Sequence, residues 1–122
     1  MSATVLVVED DPAMRRLLAS VLQVSAIEPV LLSNAEDALR RLPQDQPNLI
    51  LCDLNLPGMN GAAFVEALRS SDLAKTPVIL MSAHAEPAQH SADLFLSKPF
   101  DPFDVVGLVE EMIHDGQQGR AT

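Results

Sequence analysis

A chain of 122 residues with 48% hydrophobic residues can bury one hydrophobic core, but it is too short to hold a second domain of ordinary size. Eight Lys and Arg against 17 Asp and Glu give a formal charge of -9, which repels nucleic acid, so we expect no direct contact with DNA or RNA. Hydrophobic runs such as 5–8 are too short to cross a membrane and no signal segment opens the sequence, so we expect a cytoplasmic protein without membrane contact.

The chain opens with a predicted strand and an amphipathic helix. Residues 4–8 form a β-branched hydrophobic run, which is typical of a strand covered on both faces. Asp11 and Pro12 then combine a helix N-cap with proline at the first helical position. Hydrophobic residues follow at helical spacing, namely Met14, Leu17, Leu18, Val21 and Leu22.

The next predicted elements are the second strand, the second helix and the third strand. Residues 29–32 predict a short strand. The sequence Ser33-Asn34-Ala35-Glu36 predicts a capping box for a helix that ends near Pro43. Residues 49–52 are hydrophobic throughout and predict a third, buried strand.

The second half repeats the alternation of helix and strand. Residues 56–61 have turn composition, and the helix after them carries Phe64, Val65 and Leu68 and ends near Ser70 or Ser71. Residues 78–81 and 94–96 predict the fourth and fifth strands.

The last predicted helix starts at Asp101-Pro102, again with a cap and a proline. We expect it to turn five hydrophobic residues toward the core, namely Phe103, Val106, Val109, Met112 and Ile113. The sequence beyond His114 is polar and contains two glycines. We therefore expect one domain over residues 1–115 and a flexible tail or linker remnant over residues 116–122.

This order of elements predicts an α/β fold with a doubly wound, five-stranded parallel sheet, a flavodoxin-like (βα)5 arrangement with strand order 2-1-3-4-5. Only about ten residues separate the fourth and fifth strands, which is near the lower limit for a crossover. Pro87 also disfavours a helical backbone conformation at Glu86. We therefore expect a shortened or missing fourth helix, with at most one or two turns or an irregular loop over Pro87 to Ser91.

Chemically active residues follow four of the predicted strands, namely Glu9 and Asp10, Asp53, Ser82 and Lys98. In a doubly wound sheet these positions converge on the edge formed by the carboxyl ends of the strands. Three carboxylates in one cleft repel one another, and a protein tolerates this chiefly when a hard cation neutralises them. Mg2+ suits such a site because it prefers oxygen ligands.

The same residues contain the parts needed for phosphoryl transfer to a carboxylate. Asp53 would be the nucleophile, and a cation held by Asp10 and Asp53 would share the developing charge. Lys98 would bind a second phosphoryl oxygen and the Ser82 hydroxyl a third. These residues favour a phosphoacceptor switch over a metabolic enzyme.

The chain resembles the receiver domain of two-component response regulators, similar to the chemotaxis regulators, over nearly its whole length. The matching segments are Val7-Val8-Glu9-Asp10-Asp11, Cys52-Asp53-Leu54-Asn55-Leu56-Pro57-Gly58-Met59-Asn60-Gly61, Leu80-Met81-Ser82-Ala83 and Ser97-Lys98-Pro99-Phe100. Each segment lies at a predicted strand end, and the four occur in the same order as in the family, so the signal is specific.

The resemblance implies that Asp53 is phosphorylated by a histidine kinase or a histidine phosphotransfer protein. It implies Mg2+ held by Asp10, Asp53 and the Asn55 backbone carbonyl, with Glu9 acting through a water molecule. It also implies a cis Lys98–Pro99 bond and a downstream output protein or domain as partner. The protein would not be an enzyme, although it would assist its own phosphoryl transfer and dephosphorylation.

Several positions bear on how the switch would work. Asn55 and His84 resemble positions that tune acyl phosphate hydrolysis, and Ala83 matches a small residue that keeps the site open. Phe95 stands where the family has a switching aromatic, often Tyr, and it lacks a hydroxyl. We expect the output surface to move to the first helix or to the fifth strand and last helix. Arg15 and Arg16 are expected on the outward side of the first helix, available to a kinase helix bundle.

Three alternative functions can be compared with this sequence, and the first two fit it poorly. A flavodoxin-like electron carrier needs a phosphate-binding loop after the first strand, where this chain has acidic residues. A phosphatase with an aspartate nucleophile would normally have a second Asp where this chain has Asn55. The third alternative is a pseudo-receiver that is not phosphorylated and acts as a protein-binding module, which the shortened crossover favours.

Overall fold

The computed structural model describes residues 3–121, and it describes side chains for residues 3–115. The strands are β1 (Thr4–Val8), β2 (Glu28–Leu32), β3 (Leu49–Asp53), β4 (Val78–Ser82) and β5 (Leu94–Ser97). The helices are α1 (Pro12–Val24), α2 (Ala35–Asp45), α3 (Gly61–Arg69) and α4 (Pro102–Ala121). None of the helices in the described part of the chain is both long and hydrophobic enough to span a membrane.

The five strands form one parallel sheet in the order β2-β1-β3-β4-β5, which confirms the predicted topology. The register pairs Val8 with Cys52 and Asp53 with Met81. Because β1, β3 and β4 end at nearly the same level, the residues that follow them meet at one edge of the sheet.

The sheet is covered on both faces, so its central strands are hydrophobic at every position. Side chains alternate between the faces: Val5 and Val7 pack on the side of α1 and α4, whereas Leu6 and Val8 pack on the side of α2 and α3. All four side chains are fully buried. This packing fixes the level at which β1 delivers the residues after Val8 to the sheet edge.

Helix α2 begins and ends later than the sequence predicts. Its N-cap is Asn34, which accepts a hydrogen bond from the Asp37 N–H at 2.8 Å, so the predicted capping box starting at Ser33 is wrong by one residue. Pro43 lies inside the last turn instead of ending the helix. The helix ends two residues after Pro43. There the Gln46 N–H bonds to the Leu42 carbonyl, and Gln46 closes the last turn in the left-handed region, at φ 39°.

Helix α4 differs from the prediction at both ends. Phe103 is 68% exposed, and Val105 is buried in its place. At 100° per residue, Phe103 lies about 120° around the helix from the buried Val109, which is too far to reach the core.

The backbone of α4 is helical to Ala121, beyond the expected end near His114. Isolated glycines cost a helix only about 1 kcal/mol each, and no proline follows His114. A linker role for residues 116–122 stays a prediction, and Thr122 lies outside the described residues.

The connection from β4 to β5, residues 83–93, contains no helix, as predicted. Arg69 at the end of α3 holds the last part of this connection. Its guanidinium donates to the Ser91 carbonyl at 3.0 Å and to the Asp93 carboxylate at 2.8 Å. The same Asp93 oxygen accepts from the Val78 N–H at 2.8 Å, which ties the connection to the start of β4. One cation thus fixes a segment that lacks helical hydrogen bonds of its own.

The exposure of Phe103 gives a direct test of the orientation of α4. We expect Val105→Ala to lower the free energy of unfolding by about 2 kcal/mol, because it removes buried methyl groups and leaves a cavity. Phe103→Ala should change it by less than about 0.5 kcal/mol, because the ring is exposed. Urea unfolding of both variants measures these changes. A larger loss for Phe103→Ala than for Val105→Ala would contradict the observed helix face.

Candidate functional site

The turn from β1 to α1 carries three acidic side chains, of which Glu9 and Asp10 lie in different environments. Glu9 follows β1 directly, continues the sheet through a hydrogen bond from its N–H to the Leu32 carbonyl at 3.0 Å, and is fully buried. Asp10 is exposed. The side chain of Arg15 on α1 donates to the Glu9 carbonyl at 2.8 Å and approaches the Asp10 carbonyl at 3.4 Å.

Asp53 is the last residue of β3, and only 6% of it is exposed. Its Oδ1 accepts a hydrogen bond from the Asn55 N–H at 2.9 Å. Gly61 packs directly behind it, since a Cβ at residue 61 would lie 2.5 Å from the Asp53 carbonyl oxygen. The close approach of α3 therefore requires glycine at this position.

Lys98 joins the two buried acids. It follows β5, and its N–H donates to the Ser82 carbonyl at 2.7 Å, which continues the pairing of β4 and β5. The Lys98–Pro99 bond is cis, as the resemblance implied. The ammonium Nζ lies 2.8 Å from Glu9 Oε1 and 3.0 Å from Asp53 Oδ2. Residues 9, 53 and 98 thus meet although they come from three separate strand ends.

Burial and crowded negative charge both shape the electrostatics of this group. Glu9, Asp10 and Asp53 each place a carboxylate oxygen within 4.8 Å of the others. Burial raises the pKa of Glu9 to about 7, although its hydrogen bond from Lys98 acts in the opposite direction. Burial also lowers the pKa of Lys98, but its hydrogen bonds to Glu9 and Asp53 outweigh burial, and its pKa is raised overall.

These residues suit a divalent cation. The three carboxylates supply hard oxygen donors, and one of them, Asp10, faces solvent, so an ion can enter. The single positive charge of Lys98 cannot balance three carboxylates, and a dication would add two positive charges there. A cavity of about 700 Å³ opens beside Asp10, between the segment after β3 and Pro87.

Ser82 lies at the same sheet edge, but its hydroxyl is hydrogen-bonded to Asn55 and His84. Its buried hydroxyl donates to Asn55 Oδ1 at 2.6 Å and accepts from the His84 N–H at 2.9 Å. The structure records no hydrogen bond between Ser82 and Asp53 among the described residues. The Asn55 backbone contributes its N–H to Asp53, and the role expected for its carbonyl stays a prediction.

Two residues that support the site were missed from the sequence. Arg15 was expected on the outward side of α1, but it holds the β1–α1 turn. Its signal is a cation close to the positive end of a helix dipole, an unfavourable place that indicates a specific acceptor. Glu36 on α2 accepts from the Met59 N–H at 3.2 Å and packs against Gly58, which has φ 74°. No local pattern predicts this contact between distant segments.

Comparison with known proteins agrees with this geometry. Residues 5–110 match the family model of the response regulator receiver domain. The phosphate regulon transcriptional regulatory protein PhoB of Escherichia coli (strain K12) is 29% identical over 120 residues, which cover 93% of this chain and 52% of that protein. The chain thus spans about half the length of such curated relatives.

Solved structures show the same likeness. The chemotaxis response regulator CheY4 of Vibrio cholerae has a TM-score of 0.83 at 26% identity, covering 92% of this chain and 99% of that chain. A CheY-like receiver domain protein from Methanospirillum hungatei JF-1 has a TM-score of 0.90 at 22% identity over 98% and 99% of the two chains, a likeness of fold alone. With most of its length matched by the family model, the chain belongs to the response regulator receiver domains of two-component signal transduction.

Proposed function

We propose that this receiver domain accepts a phosphoryl group on Asp53 from the phosphohistidine of a histidine kinase or a histidine phosphotransfer protein, with Mg2+ as the cofactor. Phosphorylation then changes a surface that binds a downstream protein or domain. The observation that carries this proposal is the contact of one lysine with two buried carboxylates, Glu9 and Asp53, beside the exposed Asp10. The domain acts as a signalling switch, not as an enzyme that turns over a metabolite.

In the transfer step, an Asp53 carboxylate oxygen attacks the phosphorus atom. A P–O bond forms, the P–N bond to the donor histidine breaks, and the imidazole leaves with the electron pair of that bond. Asp53 is suited to this role because it lies next to Lys98 and is held in place by the Asn55 N–H. Because Asp53 is almost completely buried, the acyl phosphate product is shielded from water.

Asp10, Asp53 and the Asn55 backbone carbonyl would hold the magnesium ion, with Glu9 bound to it through a water molecule. When bound, Mg2+ neutralises charge on the phosphoryl oxygens and orients the group for transfer. Glu9 is poorly placed to be a direct ligand, because Lys98 and the Asp11 N–H already occupy its two oxygens, at 2.8 Å and 3.2 Å.

Lys98 and Ser82 exchange partners as the phosphoryl group arrives. Lys98 gives up Asp53 Oδ2 for a phosphoryl oxygen while it keeps Glu9 as its second partner. Ser82 has one hydroxyl proton, which it donates to Asn55 Oδ1 in this structure. It therefore has to leave Asn55 before it can donate to the phosphoryl group.

The output surface is the other part of the proposal. PhoB is a transcriptional regulatory protein by name, but the charge of -9 on this chain favours output through protein contact. Because the β4–β5 connection has no helix, we place the output surface on α1 or on β5 and α4. Amide exchange with and without phosphorylation tests this placement, and strong changes confined to residues 87–91 would contradict it.

A pseudo-receiver that binds proteins without being phosphorylated is the second candidate. The helix-free connection favours it, as does Phe95, which packs against His90 with ring centroids 6.2 Å apart and has no hydroxyl to exchange partners. Both candidates preserve the fold, and they differ in whether Asp53 reacts.

Phosphorylation of Asp53 separates the two candidates. We expect the protein to gain one phosphoryl group from phosphoramidate or from a competent kinase when Mg2+ is present, because the site aligns nucleophile and charge. Asp53→Asn should abolish the gain, and Asp72→Asn, which changes an exposed acid elsewhere, should leave it intact. Intact-mass spectrometry measures the gain, and cleavage by hydroxylamine identifies an acyl phosphate. No gain with a competent cognate kinase would favour the pseudo-receiver.

The role of Lys98 predicts opposite effects on transfer and on metal binding. Lys98→Met should slow phosphorylation by about 100-fold, because the phosphoryl oxygen loses its cation. The same variant should bind Mg2+ at least as tightly as the wild type, since a competing positive charge has gone. Stopped-flow phosphorylation and calorimetric titration provide the two measurements. Equal transfer rates in variant and wild type would remove Lys98 from the mechanism.

A further inference from the structure

Arg15 contacts the backbone of the two residues that supply the acidic turn. It is the fourth residue of α1. Its guanidinium Nη1 lies 2.8 Å from the Glu9 carbonyl oxygen and 3.4 Å from the Asp10 carbonyl oxygen. The Arg15 N–H also donates to the Asp11 carbonyl at 2.9 Å. One residue therefore holds the turn through its side chain and its backbone.

The position is electrostatically unfavourable for a cation. The N-terminal end of a helix carries partial positive charge, and a dication bound at the adjacent carboxylates would repel Arg15 further. The next residue, Arg16, carries the same charge, is exposed, and makes no side-chain contact with the turn among the described residues. Charge alone therefore does not explain why Arg15 turns inward, whereas the two carbonyl acceptors do.

We propose that Arg15 is a positioning residue, whose side chain fixes the backbone of Glu9 and Asp10 so that Asp10 meets Asp53 at the magnesium ion and Glu9 reaches the ion through a water molecule. This inference rests on the proposed function, because it concerns the same cation site. Arg15 contacts neither the ion nor the phosphoryl group; it acts through the turn. A turn without this contact loses a charged hydrogen bond on its carbonyls, and the acidic side chains lose their common orientation.

The proposal predicts the sign of a change in metal affinity. If Arg15 acted only through its charge, removing the charge would tighten Mg2+ binding. If it positions the turn, removing the contact weakens Mg2+ binding in spite of the lost repulsion. Arg16→Met provides the matched control. It removes the same charge one residue away, and the side chain it removes does not contact the turn.

The experiment titrates wild-type protein, Arg15→Met, Arg16→Met and Arg15→Lys with MgCl2 in a calorimeter. Methionine keeps the hydrophobic stem and removes the donor. We expect about tenfold weaker binding for Arg15→Met. Arg16→Met should bind as tightly as the wild type or up to about twofold tighter. Arg15→Lys retains a charged donor and should recover most of the affinity. Arg15→Gln, whose amide is too short to reach the carbonyls, should behave as Arg15→Met and replaces it if that variant does not fold.

Amide exchange without metal gives a second measurement. The Asp11 N–H donates to Glu9 Oε2 at 3.2 Å, so it reports the conformation of the turn. Its exchange should be faster in Arg15→Met and unchanged in Arg16→Met. Equal or tighter Mg2+ binding in Arg15→Met than in Arg16→Met, or equal exchange in the two variants, overturns the inference. If the wild type binds no Mg2+, the proposed function fails, and the exchange comparison still decides whether Arg15 holds the turn.

Discussion

Crowding of negative charge at one edge of a parallel sheet is the constraint on which the site depends. Glu9, Asp10 and Asp53 come from two strand ends, yet their oxygens lie within 4.8 Å of one another. Lys98 bonds to both buried acids and neutralises one charge of the three. Further positive charge stabilises such a group, so these residues suit a divalent cation.

The backbone around this charge is held by contacts from every neighbouring element. Arg15 binds the turn after β1, Glu36 binds the segment after β3, and the absence of a side chain at Gly61 lets α3 approach Asp53. At the opposite edge of the sheet, where β4 begins, Arg69 and Asp93 fix the helix-free connection, whose first residues adjoin Ser82. The connection is therefore anchored at the end away from the site, and its residues near His84 depend on the Ser82 hydroxyl.

The sheet and the meeting of Glu9, Asp53 and Lys98 could be predicted from the sequence because both rest on local patterns. The chemically active residues lie within two positions of the end of a hydrophobic run, so the strand ends and their parallel order bring Asp53 and Lys98 together. The errors have tertiary causes. Phe103 is hydrophobic and near the expected face, but the angle around α4 is set by packing of Val105 and Val109 on the sheet. The direction of Arg15 depends on the path of a turn, and its only signal in the sequence is a cation at the start of a helix. The Ser82–Asn55 hydrogen bond joins segments that are far apart in the chain, so it has no sequence signature.

A crystal structure of the protein with Mg2+ and beryllofluoride, a mimic of the phosphoryl group, tests the central claim most directly. The account predicts beryllofluoride on Asp53 and Mg2+ in contact with Asp10, Asp53 and the Asn55 carbonyl. It also predicts that the Lys98 ammonium donates a hydrogen bond to a fluorine atom of beryllofluoride and that the Ser82 hydroxyl turns away from Asn55. Mg2+ bound away from these carboxylates, or an Asp53 that stays free while Mg2+ occupies the site, would contradict it.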